Sequence, residues 1–150
     1  MSLSKSIVYV VNNPDFLFSH RIDICKSAKQ SGYEVHIICP ENESTSQLIA
    51  LGFKVHFVDF GRNRSNPLCE ILTIIKLTSI FKKISPDIVH LITIKPYLYG
   101  GIAARMARVK SVVSAVAGLG ILFSSNHFKY RVLRLGLYPL FKFAFGHKCQ

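Results

Sequence analysis

A chain of 150 residues, 49% of them hydrophobic, suits one domain that buries roughly two-thirds of the surface its unfolded form exposes, and its composition excludes disorder. The net charge of +11 is lopsided: residues 1–87 hold ten Lys/Arg and all eight Asp/Glu, whereas residues 88–150 hold nine Lys/Arg and no acid. One end of the domain therefore draws anions, and charge alone does not choose among phosphates, nucleic acid and lipid headgroups.

The first element is the β-branched run of residues 7–11, which predicts a strand buried on both faces. Asn12-Asn13-Pro14-Asp15 breaks it. A helix is predicted over about residues 16–31, with Phe18, Ile22, Cys25 and Ala28 near one stripe and Gly32 as its stop. The second strand covers residues 34–39 and ends at Pro40. Ser44 or Thr45 is expected to cap a short helix through Leu51, stopped by Gly52. The third strand covers residues 54–60, and a polar, basic loop follows to Asn66. Pro67 suits the first position of a helix reaching Ile84, which carries Leu68, Leu72, Ile75, Leu77 and Ile80.

Ser85-Pro86 marks a turn before a fourth strand over residues 87–93. A helix over residues 96–108 includes Gly100, Gly101, Ala103 and Ala104, small enough to let it pack close to the sheet. The fifth strand covers residues 111–117. Gly118-Leu119-Gly120 opens a loop, and a last helix spans about residues 128–145, kinked at Pro139. Strands alternating with helices predict parallel pairing through right-handed crossovers, hence a doubly wound, Rossmann-like α/β sheet in a single domain. Ligands of such sheets bind beyond the carboxyl ends of the strands. That rule nominates the loops at residues 12–16, 40–43, 60–64, 93–97 and 118–123.

The first turn lacks G-x-G-x-x-G, which argues against a nicotinamide or flavin cofactor, and no P-loop is present. A G-x-S-x-G elbow and metal-type histidine spacing are also missing. Cys25, Cys39, Cys69 and Cys149 form no C-x-x-C pair, so a reducing cytoplasm with Cys25 and Cys39 in the core is expected. No stretch reaches the roughly 18 apolar residues of a spanning helix, and no signal-peptide pattern opens the chain. Asp59 and Thr93, at predicted strand ends, read as structural, and His90 as a packed strand histidine.

Asn12, Asn13, Phe16 and His20 offer amides and an imidazole to hydroxyl groups, although Asn-Pro-Asp is equally ordinary turn chemistry. Lys95 is a point charge beside the expected crevice or a solvated surface lysine. In the last helix, Arg131, Arg134 and Lys142 fall within about one third of the circumference. Beside its Leu and Phe residues, that fits a helix in a membrane interface or one that packs on the sheet.

Taken in order, these segments resemble family 4 glycosyltransferases. The likeness lies in Phe16-Leu17-Phe18-Ser19-His20-Arg21 through Gly32-Tyr33-Glu34-Val35-His36, then Asp87-Ile88-Val89-His90 with Lys95-Pro96, Gly100 and Ala103-Ala104-Arg105. It continues over residues 112–120 with Phe123. The pattern is similar to members that extend lipid-linked glycans at the bacterial inner membrane. The resemblance implies the N-terminal, acceptor-binding half of a two-domain GT-B enzyme, retaining and without a required metal or cofactor. A UDP or GDP sugar would bind a C-terminal domain or subunit. Asn12, Asn13, Phe16, His20, Lys95, Tyr97, Gly118 and Gly120 would border the acceptor cleft, and Arg131, Arg134 and Lys142 would face an anionic membrane on its cytoplasmic side. Many relatives carry a histidine where this chain has Ala117, so the catalytic residue stays unassigned. The alternatives are a non-catalytic membrane adaptor that recruits a donor-binding subunit, and a basic nucleic-acid-binding domain, for which no recognition module is visible.

Overall fold

The computed structural model describes residues 5–61, 67–115, 138–139, 142–144 and 146. Its centre is a five-stranded sheet of β1 (Ser6–Val11), β2 (Glu34–Cys39), β3 (Lys54–Phe57), β4 (Ile88–Ile92) and β5 (Ser111–Ala115). The order is β3-β2-β1-β4-β5 and every pairing is parallel, the doubly wound arrangement expected from the alternation of strands and helices. Tyr9 stands opposite Ile37 on one side and His90 on the other. Side chains alternate across a strand, so this register sorts the apolar residues into two layers. Val8, Val10, Ile38, Val89 and Leu91 face one core; Tyr9, Val11, Ile37, Cys39 and Ile92 face the other. Because β1 is covered on both faces, its sequence is an unbroken apolar run rather than an alternating one.

The predicted helix over residues 16–31 is two helices, α1 (Pro14–His20) and α2 (Ile22–Gln30), separated at Arg21. It starts earlier than expected because Asn13 is the N-cap: its Oδ1 accepts from the Asp15 N–H (3.2 Å), and Pro14 needs no such partner. The Ser19 hydroxyl donates back to the Asp15 carbonyl (2.9 Å), a bond that bends helices, just before the break. Gly32 (φ 85°) ends α2 as predicted, with Tyr33 N–H bonded to the Ala28 carbonyl (3.1 Å) and Gly32 N–H to Lys29 (3.0 Å). In α3 (Thr45–Ala50) neither Ser44 nor Thr45 caps the helix through its side chain. Asn42 organises the entry instead, accepting from Ser44 N–H (3.0 Å) at Oδ1 and from the Thr45 hydroxyl (2.6 Å) at its carbonyl.

β3 is shorter than the predicted residues 54–60. Its last bond to β2 runs from Val58 N–H to the Cys39 carbonyl (3.0 Å), and β2 stops at Pro40, which has no N–H to offer. α4 (Pro67–Ile84) has the predicted bounds. The helix expected at 96–108 begins as a π-helical turn, Pro96–Gly100, and becomes α5, Gly101–Met106. A Cβ on Gly100 would lie 2.5 Å from Leu91 of the sheet, and one on Gly101 would lie 2.9 Å from the Ala144 Cβ. The small-residue cluster thus serves two close contacts, to the sheet and to the chain's last turn. Arg105 fastens the second contact, donating to the carbonyls of Phe143 (2.9 Å) and Gly146 (3.2 Å). The predicted residues 116–117 of β5, the following loop and most of the last helix lie outside the described residues.

Burial holds the His36, His56 and His90 imidazoles below the usual histidine range, and in His36 the Glu34 carboxylate pulls partly the other way. His36 Nδ1 and His56 Nε2 are 2.9 Å apart, so both rings cannot carry two protons. Between its folded and unfolded values, each such histidine binds more protons in the unfolded chain. Stability is therefore fully present above about pH 6.5 and is lost as pH falls below it. Thermal unfolding should show Tm dropping from about pH 7.5 to about pH 5.5, and His56→Gln should flatten that slope; an unchanged Tm across this range contradicts the assignment.

Candidate functional site

In this strand order the chain winds out from β1 to β3 and then returns to β4, so the crevice expected of the fold opens between the carboxyl ends of β1 and β4. One hydrogen bond spans that point. The Thr93 hydroxyl, just past β4, donates to Asn12 Oδ1, just past β1, at 2.7 Å. Thr93 holds φ at 77°, in the left-handed region, which is strained for a β-branched residue. Strain of this kind persists only where surrounding contacts over-determine it. Here the same residue's carbonyl also accepts from Tyr97 N–H (3.0 Å).

The neighbouring loops are tied to one another. The Asp15 carboxylate accepts from the Ser44 hydroxyl (2.5 Å) and the Asn42 amide (3.2 Å), joining the first loop to the second. Lys95 joins the fourth loop to the third. Its ammonium donates to the carbonyls of Phe60 (2.8 Å) and Gly61 (2.7 Å) and lies 3.7 Å from Glu70 on α4. Lys95 is therefore not the solvated lysine that sequence allowed. Its charge is committed to a strut between strand-end loops. Glu70 also bonds the Tyr99 phenol, which burial, first, and this carboxylate, second, push well above the usual tyrosine range.

Two adjoining depressions lie along this edge. One is bounded by Asn12, Asn13, Glu41 and Asp59, with a volume of about 120 Å³. The other is bounded by Asp59, Phe60, Leu72 and Thr73, at about 180 Å³. Each falls below the roughly 300 Å³ of a complete small-molecule site. Asp59 belongs to both, and its Oδ1 accepts from Gly61 N–H at 2.8 Å.

Of the residues nominated from sequence, Asn12 and Asn13 line the first depression. Phe16 and His20 stack on each other (4.5 Å, 13° between rings) on α1, and Ser19 Oγ lies 2.6 Å from His20 Nδ1, but neither ring bounds either of these two depressions. Tyr97 is not on the cleft surface: it is 3% exposed and belongs to the core between sheet and helices. The π-helical turn starts directly at Pro96 and turns its first side chains inward. Gly118, Gly120, Arg131 and Arg134 lie outside the described residues, while Lys142 is exposed near the end of the chain. His90 is packed within β4 as expected, 5.2 Å from the Tyr9 ring, with a buried Nε2 that has no partner. Cys25 and Cys39 are fully buried, and desolvation pushes both thiols up to about 12. Sequence reasoning nominated the 40–43 loop without singling out Glu41, read Asp59 as structural and did not name Glu70. Glu41 and Asp59 were signalled by position at strand ends, whereas Glu70, in the first turn of α4, had no such signal.

Among the described residues no group of three His, Cys, Asp or Glu is placed to hold a metal ion. No helix among them is long and apolar enough to cross a membrane.

Sheet order and winding define a Rossmann-like α/β domain whose strand-end loops gather at one edge. Comparison with known proteins gives its lineage: the chain belongs to the glycosyl transferase 4-like family, whose profile matches residues 6–148. It is 29% identical over 134 residues to the N,N'-diacetylbacillosaminyl-diphospho-undecaprenol alpha-1,3-N-acetylgalactosaminyltransferase of Campylobacter jejuni, covering 88% of this chain and 36% of that protein. The chain thus spans about a third of this curated relative. Among solved structures, Acinetobacter baumannii MurG superposes with a TM-score of 0.61 at 18% identity, covering 77% of this chain and 37% of MurG. A putative UDP-N-acetylglucosamine 2-epimerase from Listeria monocytogenes superposes at 0.63 with 9% identity, covering 90% and 36%. At such identities these two structures show the fold alone.

Removing the Lys95 strut tests how the edge is held. Lys95→Met leaves two carbonyls and Glu70 without this cation, which should cost about 1–3 kcal/mol. For a domain of this size that lowers Tm by roughly 3–10 °C. An unchanged Tm would return Lys95 to the surface.

Proposed function

We propose that this chain is the acceptor-binding half of a retaining glycosyltransferase that moves a sugar from a nucleotide sugar to a lipid-linked glycan. The observation that carries the reading is the family match over nearly the whole chain, taken with a relative whose name specifies transfer of N-acetylgalactosamine to a diphospho-undecaprenol-linked sugar. The geometry is compatible with it. Two depressions beyond the carboxyl ends of β1, β2 and β3, edged by amides and carboxylates, supply hydrogen-bond partners for sugar hydroxyls. Their size calls for a second lobe to close over them, which suits a donor-binding domain or subunit that takes a UDP or GDP sugar. The remaining two-thirds of the relative's length leaves room for such a lobe.

The charge distribution supports the same acceptor. A lipid-linked diphosphate is anionic and lies at a membrane surface, and residues 88–150 carry nine Lys/Arg without an acid. On this reading the protein works at the cytoplasmic face of the membrane as a peripheral protein. Asn12 and Asn13 orient the acceptor, Glu41 and Asp59 accept from its hydroxyls, and the acid-base group is left to residues outside those described. Neither a metal nor a cofactor is assigned a part.

The test is transfer by the full protein from a radiolabelled nucleotide sugar to an undecaprenyl-diphosphate-linked saccharide. Asn12→Ala combined with Asn13→Gly, the glycine keeping most of the α1 cap, should lower kcat/KM for the acceptor about tenfold or more, equivalent to one lost hydrogen bond to a bound group. The KM for the nucleotide sugar should stay unchanged. Undiminished transfer would remove the acceptor assignment, and micromolar binding of a nucleotide sugar to residues 1–150 alone in calorimetry would move the donor site onto this chain.

A further inference from the structure

Helix α4 carries more apolar surface than the core takes up. Leu77, Thr78 and Phe81 are buried against the sheet. Leu68, Ile71, Leu72 and Ile75 remain 69%, 53%, 63% and 54% exposed. Their spacing of i, i+3, i+4 and i+7 sets them in one stripe along the outer side. The other large apolar residues that are exposed, such as Ile24, Ile49, Met106 and Val113, are scattered over separate elements. At 3.6 residues per turn, the exposed Lys76, Lys82 and Lys83 fall within the same outward arc of roughly 140°. Glu70 is the helix's one acid. It turns the other way, toward Lys95 and Tyr99. The outer face is thus apolar toward its first half, basic toward its second, and free of negative charge.

The apolar part adjoins the candidate cleft. Leu72 helps to bound the depression that contains Asp59 and Phe60. The Thr73 hydroxyl, one residue on, donates to the Asp59 carbonyl at 3.2 Å.

We propose that this outer face of α4 is the surface on which the protein sits on an anionic lipid bilayer. The inference rests on the reading of the acceptor as lipid-linked, and it names where the lipid meets the protein. Charge complementarity selects the occupant. A bilayer interface admits four aliphatic side chains below the headgroups while lysines reach up to anionic phosphates, and acids on that face would be repelled. Seated in this way, the mouth of the depression lies at headgroup depth. A diphosphate-linked glycan then enters it while its lipid tail stays in the membrane.

The experiment is sedimentation of the full protein with vesicles of phosphatidylcholine alone and of phosphatidylcholine with phosphatidylglycerol, without acceptor. Binding is expected to the anionic vesicles and to weaken with salt. Ile71→Gln with Ile75→Gln should reduce it at least about tenfold with Tm unchanged, as interfacial affinity scales with buried apolar area. Each of Lys76→Glu, Lys82→Glu and Lys83→Glu should reduce it about fivefold or more, the ratio equivalent to roughly 1 kcal/mol per basic residue near an anionic surface. Residues 1–150 hold no Trp, so Ile75→Trp adds an indole to the stripe, and its emission, taken as the difference from the unsubstituted protein, should shift to the blue on adding anionic vesicles. Full binding by the glutamine variant, or an unshifted Ile75→Trp spectrum while protein pellets with vesicles, overturns the proposal. So does a stripe that alters self-association in sedimentation equilibrium but not vesicle binding. Turnover of a detergent-dispersed acceptor separates the two readings: the Ile71/Ile75 variant should retain it. A wild-type protein that binds vesicles through α4 yet never uses such an acceptor refutes the acceptor reading and leaves the membrane surface standing.

Discussion

The parallel pairing of β1 with β2 on one side and β4 on the other is the constraint on which the rest depends. Parallel strands cannot be joined by a tight turn, so each connection must carry a helix across one face of the sheet. Those crossovers bury both faces of β1 and send every strand-end loop to the same edge. The reversal of winding between β3 and β4 then leaves an opening at the ends of β1 and β4, where Thr93 meets Asn12 across the gap. Had those strands paired antiparallel, the loops that hold Asn12, Glu41, Asp59 and Lys95 would be divided between opposite ends of the sheet.

The amino end of the sheet is closed by a different device. Asp87 accepts from the Ser6 N–H (2.9 Å) and from the Lys110 ammonium (3.1 Å), linking the entries of β1, β4 and β5. These two donors, the backbone N–H first, hold its carboxyl below the usual range. Charge is thus consumed at both ends of the sheet. At the functional edge Lys95 is spent on carbonyls, and the described loops there carry Asp15, Glu41 and Asp59. The strong positive charge of the chain sits mainly beyond β4 and on the outer side of α4.

The family match supports an activity for the whole protein, and this chain corresponds to about a third of its curated relative. MurG and the epimerase share the fold with low identity. What distinguishes their chemistry has to lie outside the sheet, because the sheet is common to them.

Much of the fold was legible in the sequence. Strands buried on both faces announce themselves as β-branched runs, and helix ends at Gly32 and Gly52 are set by local backbone chemistry that needs no tertiary partner. Where sequence misread the chain, the cause was a contact between distant segments or between side chain and backbone. Asn13 capped α1 and Asn42 ordered the entry to α3 by side-chain hydrogen bonds, and the end of β3 was set by a proline in its neighbour. For the site, Asn12 and Asn13 line a depression at the strand-end edge, but sequence had no means of knowing that Lys95 reaches carbonyls 34 and 35 residues away, that Tyr97 turns inward, or that Leu68, Ile71, Leu72 and Ile75 of α4 face outward.

The sequence by itself determined the alternation of strands and helices, and with it the parallel sheet and the edge where ligands meet it, because hydrophobic period and turn chemistry are properties of neighbouring residues. Only the tertiary structure decided which polar groups remain available on that edge and which apolar residues remain uncovered. Those outcomes depend on partners brought together from far apart in the chain, and a lysine or an isoleucine carries no local mark of whether folding will bury it.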